Sequence, residues 1–347
     1  MKTQLIDAIA NAVLYEGYML YPYRRSSVKN RQRFNFGVLY PPSYSEVQLG
    51  SEAWSMQTEC IVQGDAAAIE VRARFLKLVA RTVRAVNELP SADMVPNAES
   101  SFGPDRESTP WQEAIECEVN VPVRYLNTLT AGPLDWAFSF PAKEETELVR
   151  DDTGRTMKMI DRKQQSVHGT VEISATRLAE GSFKLQVRVK NATPLNDSAP
   201  TSRDSALMSS LVSAHTLLGV VDGQFVSLLE PPDDLKQIAS SCQNIGTWPV
   251  LVGAEGERDT MLSSPIILYD YPQIAPESPG DLFDGTEIDE ILALRIMTMT
   301  DEEKREMRNT DERARRILDR TESLPMERLA KLHGTLRELR PLKEGMP

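Results

Sequence analysis

The chain has 347 residues, 41% of them hydrophobic and 26% charged, with a formal net charge of −12. That composition excludes wholesale disorder and leaves room for one large or two ordinary domains that need no metal or disulfide staples. Three well-separated cysteines, Cys60, Cys117 and Cys242, with no CxxC pair, argue against a disulfide framework, and the acidic excess opposes non-specific binding to nucleic acid or anionic lipid.

Residues 3–14 carry Leu5, Ile6, Ile9, Val13 and Leu14 near one stripe, which predicts an amphipathic helix. Asp7 sits where a secretion signal would need an unbroken apolar stretch. No apolar run reaches membrane-spanning length, so the expected location is the cytoplasm, with no membrane partner.

Residues 18–40, YMLYPYRRSSVKNRQRFNFGVLY, reverse the sign of the chain. Arg24, Arg25, Lys29, Arg31 and Arg33 lie within ten positions, and no Asp or Glu occurs between Glu16 and Glu46. Tyrosine and arginine together are enriched at protein-docking hot spots. The same pair also suits an internal clamp, because an Arg fork fixes a carboxylate through two parallel hydrogen bonds. Both readings stay open. The candidate partner-binding residues are Tyr21, Tyr23, Arg24, Arg25, Lys29, Arg31 and Arg33, with Asp289 and Glu290 from the acidic run further on. Nucleic acid is not the expected partner, since the global charge opposes it and no recognition signature is present.

RFNFGVLY (33–40) alternates as a strand does and stops at Pro41-Pro42. WSMQTECIVQ follows, then AAIEVRARFLKLVARTV, whose first half alternates as a strand and whose second half fits either strand or helix. Residues 90–111 are rich in Pro, Ser, Asp and Glu and predict a long loop, mobile or functional. IECEVNVPVRYL reads as a strand with an edge or bulge at Pro122. VHGTVEISATRL and FKLQVRVKNAT give the firmest alternation, joined by an AEGS hairpin turn. SALMSSLVSAHTLLGVVDGQFVSLL starts at helical spacing and ends as a hairpin turning at Asp222-Gly223. TWPVLVG and SPIILYDY read as two further strands.

After Gly285 three helices are expected: TEIDEILALRIM, TDEEKREMRNTDERARRILDR and PMERLAKLHGTLREL. Thr300 with Glu303 forms a capping box, and Asp301–Arg305 and Glu312–Arg316 are i,i+4 pairs. The predicted class is therefore α+β. An antiparallel β-rich body, sandwich or open sheet, covers 1–284, and a helical C-terminal segment covers 285–347.

No complete catalytic motif is present. Ser213-Ala214-His215 lacks the GxSxG elbow, the glycines form no phosphate loop, and no two of the cysteines and histidines stand at metal-ligand spacing. No cofactor or metal is expected. The enzymatic alternative is a metal-dependent hydrolase assembled from dispersed groups, with His168, His215 and nearby carboxylates.

Three passages, LYEGYMLYPYRRSSVKNRQRFNFGVLYP, SAHTLLGVVDGQFVSLLEPP and the long run from NIGTWPVLVG to TDEEKREM, resemble a family of accessory proteins associated with bacterial gene clusters for uptake-type nickel–iron hydrogenases of the actinobacterial type. The resemblance implies a non-enzymatic assembly or maturation factor whose partners are hydrogenase subunits or other maturation proteins. The chain has neither the paired CxxC motifs of a hydrogenase large subunit nor the nucleotide loop of a nickel-insertion GTPase.

Overall fold

The computed structural model describes residues 3–16, 36–85, 111–195, 202–273 and 299–301, together with 304, 305, 308, 315, 318, 319, 322 and 323. The chain divides into two compact units, residues 1–18 with 35–272 and residues 19–34 with 273–347. The larger unit opens with α1 (Thr3–Glu16) and α2 (Pro42–Val47). It continues as β1 (Ser55–Gln63), β2 (Ala68–Ala85), β3 (Trp111–Tyr125), α3 (Leu126–Leu129), β4 (Leu134–Phe140), β5 (Lys143–Arg150) and β6 (Thr156–Gln164). Then come β7 (Val167–Ala179), β8 (Ser182–Asn191), α4 (Arg203–Leu207), β9 (Val212–Val221), β10 (Gln224–Phe225), α5 (Lys236–Ser240), β11 (Trp248–Leu251) and β12 (Thr260–Ser264).

Every strand pair is antiparallel. The first sheet runs β10-β1-β8-β7-β4. The second runs β11-β12-β9-β2-β6-β5, with β3 on the other edge of β2. Along one edge of β2, residues 68–76 pair with β9 and residues 80–85 with β6.

The period-2 pattern explains how the sheets meet, because alternate side chains point to one face. Val167, Val171, Ile173 and Ala175 of β7 and Phe183, Leu185, Val187 and Val189 of β8 turn inward. Ile69, Val71, Ala73 and Phe75 of β2 and Cys117, Val119 and Val121 of β3 join the same core from the second sheet. Each fully buried side chain of this size stabilises the fold by about 1.5–3 kcal/mol. Phe75 is its aromatic centre, edge-on to Phe140 at 5.5 Å and tilted against Phe138 at 5.8 Å. Phe138 lies over Gly169, its cross-strand partner. A Cβ on Gly169 would come within 2.2 Å of the Phe138 ring, so only glycine fits there.

The α+β class is overturned. Antiparallel sheet dominates the described residues, helices after α1 have four to six residues, and no helical C-terminal segment is defined among them. In the smaller unit, Lys304 N donates to Thr300 O at 2.9 Å, and Arg308 pairs with Asp319 at 3.2 Å and also with Glu322. Glu303, Glu312 and Arg316 lie outside the described residues, as does the 90–110 loop. Arg305 Nε bonds the Asp301 carbonyl rather than its carboxylate.

One open local expectation is settled and four others are corrected. The second half of 68–85 is strand, because β3 and β6 complete its backbone bonds. Residues 36–40 form one isolated bridge, Leu39 to Leu211, since Gly37 at φ +58° breaks the extended run. The helical start after Ser205 is confined to the end of α4 at Leu207, and from Val212 the chain is β9, which is buried along nearly its whole length and so loses visible alternation. Asp222-Gly223 does turn the chain, but into the other sheet, where β10 pairs with β1. SPIILYDY is irregular, and the strand lies upstream at β12.

Candidate functional site

The predicted docking residues Tyr21, Tyr23, Arg24, Arg25, Lys29, Arg31, Arg33, Asp289 and Glu290 all lie outside the described residues. The dispersed histidines are placed, and they do not converge. His168 sits on β7 between the buried Val167 and Gly169, on the outer face of the first sheet with Thr170. His215 sits on β9 in the second sheet, paired in register with Arg74 of β2. It is fully buried beneath α1, and burial pushes its pKa down to about 4. No group of three or more His, Cys, Asp or Glu gathers at metal-holding geometry among the described residues.

The thiols are equally unprepared for chemistry. Burial pushes Cys117 up to about 11 despite nearby Lys77, and pushes Cys60 far above the ordinary range. Cys242 is pushed up to about 11, first by burial and then by Glu59. A thiol held protonated is neither a nucleophile nor a ready metal ligand at neutral pH.

What the fold does assemble is an apolar rim at one end of the sandwich. β1 begins there, β11 begins there and β12 ends there, with Trp248 opposite Ser264. Ile245 bridges Gln57 through a pair of backbone bonds of 2.9 and 3.0 Å. Trp54 immediately precedes β1 and Trp248 opens β11, so this bridge, with Gly246 beside Met56, brings the segments that carry the two tryptophans to the same end. Gly37 lies against Pro265, so close that a Cβ would meet its ring at 2.5 Å, and this draws Phe36 and Ile267 to the same end. Phe36, Trp54, Ile245, Trp248 and Ile267 are 55, 41, 56, 44 and 74% exposed.

The ground behind the rim is rigid. Asn191 N donates to Trp54 O at 2.9 Å, and its side chain donates to Leu39 O and Ser209 O at 2.8 and 2.9 Å. Tyr40 N donates to Ala53 O, and the Arg203 guanidinium lies over the buried Tyr40 ring while bonding Glu52. Burial pushes the Tyr40 phenol up to about 12.

A second polar assembly pins the loop that carries Ile245. Glu59 is buried, and its carboxylate accepts from Gln243 N at 2.9 Å, Gln186 Nε2 at 2.8 Å and Lys184 Nζ at 3.2 Å. Burial alone would raise this carboxyl; the bonds to Gln243, Gln186 and Lys184 outweigh it and hold the group below its ordinary value. Gln57 adds a bond from Nε2 to Gln243 O at 2.9 Å. Sequence reasoning passed over Trp54 and Trp248 because each merely precedes or opens a strand. Only tertiary pairing brings them together.

No protein-family model matches the chain, and no curated protein matches it. Among the described residues, no helix is long and apolar enough to cross a membrane.

Proposed function

We propose that this protein is a non-enzymatic docking factor that acts in the cytoplasm in the assembly or maturation of a nickel–iron hydrogenase. One observation carries the docking part: half-exposed Trp54 and Trp248, with exposed Phe36, Ile245 and Ile267, lie on segments that the Gln57–Ile245 bridge and the Gly37–Pro265 contact bring to one end of the sandwich. Tryptophan on a pre-ordered surface is what binding hot spots are made of, because little side-chain freedom is lost on contact. The basic, tyrosine-rich stretch of residues 18–40 includes Phe36 in sequence. The hydrogenase part rests on the resemblance of the three passages.

The test is affinity for purified hydrogenase large and small subunits, measured for wild type and for Trp54→Ala/Trp248→Ala. Loss of two hot-spot tryptophans weakens binding by roughly thirtyfold or more. Unchanged affinity removes the rim from the interface, and failure of wild type to bind either subunit removes the hydrogenase assignment. An Arg24/Arg25/Arg31→Glu variant reads the basic stretch separately, as a slower and less salt-sensitive association.

A further inference from the structure

The face of the second sheet beneath α1 is built to hold a helix. Ile6, Ile9, Ala10, Val13 and Leu14 of α1 are buried, a helical stripe laid across β9 and β2. Two guanidiniums of β2 reach up to the same helix. Arg72 Nη1 meets Asp7 Oδ1 at 3.0 Å, and Arg74 Nη2 donates to Asn11 Oδ1 at 2.7 Å. The spacing is matched: four residues of helix rise about 6 Å, and two residues of strand rise about 6.8 Å. A third bond runs from Ser213 Oγ to Val13 O at 3.1 Å.

His215 shares this face with Arg74, its cross-strand partner. Its Nδ1 lies 3.0 Å from Ser213 O, so that nitrogen carries the proton and Nε2 presents a lone pair. Nε2 is buried and has no hydrogen-bond partner among the described residues. Burying an acceptor unpaired is costly. The face therefore offers four polar groups at fixed positions, Arg72, Arg74, Ser213 and His215, and α1 engages the first three.

We infer that α1 is a built-in pseudo-ligand, seated on a face that receives an amphipathic helix of a partner protein. That helix carries carboxylate or amide acceptors at i and i+4 for Arg72 and Arg74, an apolar stripe like Ile6–Ile9–Val13, and a hydroxyl or amide donor for His215. It gains the bond that α1 leaves unmade, and displaces α1 by that difference. The inference rests on the docking reading for its biological use, but its test involves no hydrogenase subunit and leaves the tryptophan rim untouched.

The probe is a fluorescein-labelled peptide of residues 3–16, titrated with full-length protein by fluorescence anisotropy. In wild type the helix in cis competes and binding is weak. Asp7→Lys in the protein removes one charge-assisted bond from the competitor, and the labelled wild-type peptide then binds roughly tenfold or more tighter. Asn11→Leu is the second variant, reading the same release through Arg74 should Asp7→Lys not fold. A peptide carrying both changes does not bind. In parallel, native-state hydrogen exchange shows α1 amides opening before those of β9. The proposal is overturned if neither variant gains peptide affinity, or if α1 opens only with β9. It is equally overturned if bound peptide is lost as protein concentration rises, which assigns the face to α1 of a second copy. Failure of the rim variant against hydrogenase subunits, with peptide binding intact, sinks only the proposed function.

Discussion

The sandwich and the β5–β6 hairpin belong to the same sheet system but are held by different forces. Between the sheets, the core takes β2 as far as Phe75 and β3 from Cys117 onward. Beyond that point the second sheet continues as β3-β2-β6-β5, where buried Leu76, Leu78, Val79 and Ile160 are joined by a network of ion pairs. Arg81 and Arg162 share Glu113 at 3.1 and 2.8 Å, Arg162 reaches Glu147 at 2.7 Å, and Arg84 pairs with Asp161 at 2.6 Å. All but one of the β5 residues are exposed. Apolar burial is cooperative and insensitive to salt; exposed ion pairs are weak and screened. The molecule thus has a stiff body, which positions the tryptophan rim, and a hairpin free to open locally.

The contrast is broken most forcefully in the body. Phe75→Ala removes the centre of the Phe75–Phe138–Phe140 group and costs about 3–5 kcal/mol in urea unfolding. A loss under about 1 kcal/mol would mean that the core collapses around the gap. Acid is the next lever. The His215 pKa is lowered on folding, so below its ordinary value near 6.5 the unfolded chain binds the proton more readily. Stability present above that pH is lost as pH falls from 6.5 toward 4, by up to about 3 kcal/mol, and His215→Leu flattens this part of the curve. Glu59→Ala costs about 2 kcal/mol and opens the 240–245 loop to proteolysis, since charged hydrogen bonds to Lys184, Gln186 and Gln243 are lost together. The smallest effect belongs to the hairpin: Arg162→Ala costs under about 1 kcal/mol, and the difference vanishes in about 1 M salt. Hydrogen exchange sharpens the same comparison, with β5 amides exchanging well before those of β8.

Sequence legibility follows the same division. β7 and β8 show one wet and one dry face, so their alternation is visible in the residues. β9 is covered by the core on one side and α1 on the other, so its pattern is continuous and fits helix as readily as strand. SPIILYDY shows the converse error: an apolar run whose Ile267 and Tyr269 face outward and pair with nothing in the sheet. β5 is illegible because KEETELVR has a charged rather than an apolar face, whereas β4 does alternate, with Leu134, Trp136, Phe138 and Phe140 toward the core. The rim was illegible for a further reason. Trp54 and Trp248 are almost two hundred positions apart, and neither carries a local signature of the Gln57–Ile245 bridge that brings their segments to one end.

β1 has one more implication, for synthesis in the cell. Its nine residues, Ser55–Gln63, pair with β8 and β10 and bridge Ile245 at Gln57, and Ser55 meets Lys190. Translation at roughly 5–20 residues per second leaves that apolar strand waiting on the order of ten seconds for its neighbour to leave the ribosome. Yield should therefore depend on chaperone capacity and growth temperature, and a circular permutant that makes β7 and β8 first should express with less aggregation.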